Sequence, residues 1–94
     1  MVLVIVEHFL NEKGEAIFPD WIRTTRELLQ SYDGFISLVQ LKSFDDENRT
    51  LLELRFENMQ LLRSWSKSDA HDQTIDQLSE YRNKKQVSQV FEYI

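Results

Sequence analysis

The spacing of apolar positions changes repeatedly along the chain, and each change predicts a new element. Val2 to Val6 is a continuous β-branched and aliphatic run, so residues 2 to 10 read as a strand covered on both faces. Asn11-Glu-Lys-Gly14 carries turn residues. Phe18, Trp21, Ile22, Thr25, Leu28, Leu29 and Tyr32 then recur at steps of three and four, which predicts an amphipathic helix over residues 17 to 32. Pro19 fits only near the first turn of such a helix, and Asp33-Gly34 closes it. Alternation returns from Phe35 to Phe44 and from Thr50 to Glu57, with the acidic turn Asp45-Asp-Glu-Asn48 between them. This is the pattern of an antiparallel hairpin.

Asn58 is placed to cap a short helix carrying Met59, Leu61, Leu62 and Trp65. Trp65, Ser68 and His71 recur at three-residue spacing, which one helical face would gather. Ser66 or Ser68 is the expected break and new cap. A further helix is expected from Asp69 to Lys84, with His71, Ile75, Leu78 and Tyr81 on one face, and a last strand from Val87 to Ile94. The order β-α-β-β-α-α-β predicts an α+β ferredoxin-like domain spanning residues 1–94 as a single unit. Helices would cover one sheet face. The strands are apolar on both, so the second face is expected to pack sheet to sheet against another copy, as a homodimer.

Composition narrows the function classes. The chain has 94 residues and a formal net charge of -5, which disfavours phosphate backbones and anionic lipid surfaces, so no nucleic-acid or membrane partner is expected. Without cysteine there is no thiolate nucleophile, disulfide or Cys-based metal site. The apolar start lacks a basic leader and is too short to span a bilayer, so a cytoplasmic location is expected. With only Gly14 and Gly34 there is no glycine-rich phosphate loop. The two histidines lack metal-ligand spacing, and neither a metal nor a cofactor is expected.

The candidate chemistry rests on His8, Trp65 and His71. His8 shares a strand face with Val4, Val6 and Leu10, where a buried imidazole needs a partner. It is either a satisfied core residue or a pocket group able to act as a base. His71, in the first turn of a helix, has the same two readings. Trp65 either closes the core or stacks on a flat ligand, and Trp21, Phe18 and Phe35 share that ambiguity with more reason to be core. Ser68 reads as a helix cap, and Glu53 with Arg55 as a pair on one strand face.

The strand ending Glu7-His8, the hairpin opening at Asp33-Gly34-Phe35, and Leu54-Arg-Phe-Glu followed by Trp65-Ser-Lys-Ser68-Asp-Ala-His71 together resemble the antibiotic biosynthesis monooxygenases of the dimeric α+β barrel superfamily. The resemblance covers essentially the whole chain. It implies a homodimer whose sheets close into a barrel, with a pocket in each subunit for a small aromatic or hydrophobic ligand. It also implies a cofactor-independent monooxygenase acting on a planar aromatic or quinol-type substrate, with His8, His71 and Trp65 as the catalytic candidates. Heme degradation, isomerisation of small oxygenated metabolites and ligand binding without turnover are the alternatives. The heme-degrading branch carries a strand asparagine where this chain has His8 and an iron-ligating histidine where it has Ile75.

Overall fold

The computed structural model describes residues 1–94. It places strand β1 (Val2–Leu10), helix α1 (Glu12–Leu29), strands β2 (Phe35–Leu41) and β3 (Thr50–Phe56), helices α2 (Met59–Ser66) and α3 (Asp69–Asp76), a 3-10 turn (Ser79–Tyr81) and strand β4 (Arg82–Glu92) in that order. The sheet order is β2-β3-β1-β4, with every neighbouring pair antiparallel, which is the ferredoxin-like arrangement expected.

Strand β1 is bonded on both sides, and its period-two alternation divides the molecule. Val2, Val4, His8 and Leu10 are buried toward the helices, together with Leu52, Leu54 and Phe56 of β3. Phe18, Trp21, Ile22 and Leu29 of α1, with Leu62 and Trp65 of α2, close over them. The opposite face carries Leu3, Ile5 and Phe9 and has no helix over it.

Several boundaries differ from the sequence reading. Helix α1 begins at Glu12, because Asn11 is not a turn residue but the cap: its side-chain oxygen accepts from the Gly14 N–H at 2.8 Å. Pro19 consequently lies inside the helix. It is on the exposed side, where water can serve the carbonyl that loses its partner. The second strand stops at Leu41 and not at Phe44. A register shift at its start turns Phe35 onto the helical side beside Phe56, with ring centroids 6.1 Å apart.

The largest correction concerns residues 77–86. The helix expected to run to Lys84 ends at Asp76, and β4 begins at Arg82 instead of Val87. The basic run Arg82-Asn-Lys-Lys85 thus starts a strand and does not end a helix. The 3-10 turn brings the chain back to β1, where the Asn11 N–H donates to the Tyr81 carbonyl at 2.7 Å.

Gly14 is where this turn meets α1. A Cβ there would lie 2.9 Å from the Cβ atoms of both Leu10 and Tyr81, which are fixed to backbone. Alanine is the better helix former, but neither neighbour is a flexible tip able to yield. Gly14→Ala is therefore expected to destabilise the fold by about 1–3 kcal/mol. Urea unfolding checks this, since relief of helix strain alone would raise the midpoint.

Candidate functional site

His8 reaches the helical layer from the middle of the sheet and is only 5% exposed. Its ring lies among aromatics: Phe18 at 5.2 Å, tilted, and Trp21 at 5.6 Å, edge-on. Its Nε2 is buried and has no hydrogen-bond partner. An unsatisfied buried polar atom costs roughly 1–3 kcal/mol, so the position is one a ligand could relieve. Burial, followed by the positive charge of Arg82, pushes the imidazole pKa down to about 4. The ring is therefore neutral at pH 7.

A cavity of about 80 Å³ borders this ring, with Trp21, Thr25, Leu38, Trp65 and His71 among its walls. His8, Trp65 and His71 thus meet at one cavity. A second cleft of about 200 Å³ opens between α2 and β4, past Met59, Leu62 and Val90, and shares Trp65 and His71 with the first. Together they approach the lower end of ordinary ligand pockets, about 300 Å³.

Trp65 and His71 do not share one helical face as their spacing suggested. Helix α2 ends at Ser66 and α3 starts at Asp69, and the two side chains meet across the break. Ser68 makes that corner: its hydroxyl donates to the Trp65 carbonyl at 2.7 Å and accepts from the His71 N–H at 3.1 Å. The His71 ring stands edge-on to Trp65 with centroids 5.4 Å apart, and Tyr32 packs on Trp65 at 4.9 Å. His71 Nδ1 lies 3.3 Å from an Asp72 carboxylate oxygen, a long contact at an exposed acid. Trp21 is oriented from α3, its indole N–H donating to the Thr74 carbonyl at 2.9 Å.

Trp21 is part of the cavity wall, and Phe18 supports His8 from the core. Phe35 packs on Phe56 instead. Thr25, Thr74, Gln86 and Ser88 also line the cavity and were missed in the sequence. Thr25 read as one step of an apolar stripe. Gln86 fell in a gap between a helix drawn too long and a strand begun too late. No group of three or more His, Asp or Glu side chains gathers as metal ligands. Ile75, standing where the heme-degrading pattern has its histidine, is itself in the cavity wall, so no imidazole stands at that position.

No known family profile and no curated protein sequence matches the chain. Solved structures do match its fold. A protein from Nitrosomonas europaea, described as a proposed antibiotic biosynthesis monooxygenase, aligns with a TM-score of 0.82 at 14% identity, covering 99% of this chain and 89% of that one. A structure named antibiotic biosynthesis monooxygenase aligns at TM-score 0.79 and 10% identity, covering 100% and 99%. A variant of SnoaB, a cofactor-independent oxygenase from Streptomyces nogalater, aligns at 0.76 and 14%, covering 98% and 92%. The chain has the fold of these antibiotic biosynthesis monooxygenase structures along its whole length.

The buried neutral histidine has a pH signature. Its pKa is lower folded than unfolded, so the unfolded chain binds the proton first as pH falls. Stability contributed by keeping His8 neutral is fully present above about pH 6.5 and drains away toward pH 4, by up to about 3 kcal/mol. His8→Gln removes this component while the carboxylate titrations remain. Urea unfolding at pH 7 and pH 4.5 should show a smaller acid loss in the variant; equal losses would mean that His8 titrates normally.

Proposed function

We propose that this protein is a cofactor-independent monooxygenase-type enzyme that acts on a small planar aromatic or quinol-type substrate. The observation that carries the reading is His8 itself, whose buried Nε2 has no hydrogen-bond partner and whose ring borders a cavity walled in part by Trp21 and Trp65. A substrate hydroxyl donates to this nitrogen, and its proton passes there as the ring becomes electron-rich. Dioxygen adds at a ring carbon, and the hydroperoxide formed loses water to leave a quinone. One oxygen atom enters the product and the other leaves as water, with all electrons drawn from the substrate. Trp21 and Trp65 hold the ring flat and exclude water. His71 stands at the rim beside Asp72, open enough to pass the proton to solvent.

Of the two histidines, His8 is the freer to accept from a substrate hydroxyl, because its Nε2 has no competing partner, whereas His71 faces Asp72. The modest size of the cavity favours one other reading, ligand binding without turnover, which oxygen consumption separates from catalysis. A panel of quinols and phenols should yield at least one compound that drives oxygen uptake. His8→Ala should then lower kcat/KM by about 100-fold or more. Binding without oxygen uptake would leave a ligand-binding protein.

The open sheet face supports a homodimer by sheet-to-sheet packing. Val87 is 54% exposed and Phe91 48%, and they lie across from Glu7 and Leu3 on the side without helices. Two charged pairs there are already matched: Arg49 forms a bidentate pair with Glu7 at 3.0 and 3.1 Å, and Arg55 reaches Glu53 at 2.8 Å, while the Lys84 ammonium lies over the Phe9 ring. A second copy can therefore cover apolar area while these two pairs stay intact. Light scattering at micromolar concentration should give a dimer, and Phe91→Asp should give a folded monomer. A wild-type monomer would remove the reading.

A further inference from the structure

Strand β4 does not run in step with β1, and the mismatch falls beside His8. Glu7 pairs with Val87, but Phe9 pairs with Lys84 and Leu10 with Arg82. Two residues of β4, Lys85 and Gln86, therefore stand opposite His8 alone, and Asn83 is a second extra residue. Such bulges bend a strand and redirect its side chains. In unbroken register Lys84 would lie across from Leu10 on the helical face. Instead Lys84 is turned to the open face, with its ammonium 4.2 Å from the Phe9 ring centroid. Arg82 takes the place beside Leu10, two residues nearer to His8 than a regular ladder would bring it, a gain of roughly 7 Å.

Arg82 is half-buried and has no carboxylate within salt-bridge distance; its one side-chain contact is a long 3.4 Å bond to the Gln86 amide oxygen. It lines a polar mouth with Lys85, Asp72 and Asp76, and this mouth shares His71, Ile75 and Gln86 with the His8 cavity. Both aspartates are exposed on α3, so Arg82 is the inner charge. A guanidinium held there is suited to an anionic oxygen.

We propose that Arg82 is the counter-ion for an anionic oxygen on the aromatic substrate, a carboxylate or the hydroxyl oxygen as its proton passes to His8, so that the site favours the substrate as its anion. This rests on the reading of the cavity as an aromatic site and names its substrate class. A strongly shifted, poorly basic imidazole gains a proton from a phenol only where something else stabilises the anion.

The test uses 4-nitrophenol, which ionises near neutral pH and whose anion absorbs in the visible. Titrated against pH with the protein in excess, the bound compound should ionise at lower pH than the free compound, by about one unit or more, a tenfold preference for the anion. Arg82→Gln should abolish the shift, and Arg82→Lys should keep part of it, with circular dichroism showing both variants folded. Displacement of the bound anion by benzoate would assign the subsite to carboxylates as well; retention would assign it to ionised hydroxyls, and either result upholds the anion site. An unshifted or raised ionisation, or an equal shift in Arg82→Gln, would overturn the proposal while leaving the aromatic cavity standing. No binding of 4-nitrophenol at all would overturn both.

Discussion

Everything in this molecule that bears on function depends on the double pairing of β1. A central strand bonded on both edges cannot slip by one residue without moving its whole apolar set to the other face. Val2, Val4 and Leu10 fix the helical side, and His8 is committed with them, buried between Phe18 and Trp21. The imidazole enters the core as a consequence of strand parity. What is unusual is that the core then leaves its Nε2 without a partner.

The helical layer completes the cavity beside that ring. Ser68 breaks the chain between α2 and α3 so that Trp65 and His71 meet across a corner, a placement no continuous helix would give them. Thr74 orients Trp21 through its backbone carbonyl. The result is a small cavity walled by Trp21, Trp65 and aliphatic side chains, with His8, His71, Thr25, Thr74, Gln86 and Ser88 supplying its polar groups. The fold alone implies no activity, since folds of this kind host sites grafted onto them. Chemistry, where it occurs, comes from His8 and the side chains around it.

The fold was legible because its strongest signals were local. The β-branched run of β1, the stripe of α1 and the turn between the hairpin strands each mark an element without help from tertiary structure. The site was half legible. His8, Trp65 and His71 stood out as polar or aromatic groups at apolar positions, and they border one cavity. What escaped was anything set by pairing across the sheet. Asn11 is as good a cap as a turn residue, and only the 3-10 turn bonded to its backbone tells which. The bulges in β4 arise where its strand must follow both β1 and the turn before it, so Arg82 and Gln86 looked like a helix end and a gap. Periodicity cannot see a residue whose face is decided by its neighbour's register.

The most direct test of the account is nitrogen NMR of the His8 ring with and without a simple aromatic hydroxyl compound such as hydroquinone. The account predicts a neutral imidazole in the free protein at pH 7 and a large change at Nε2, far exceeding that at His71, when the compound binds. Saturable binding that leaves the His8 nitrogens unmoved would show that the unpartnered Nε2 is a packing defect and that the ligand sits elsewhere.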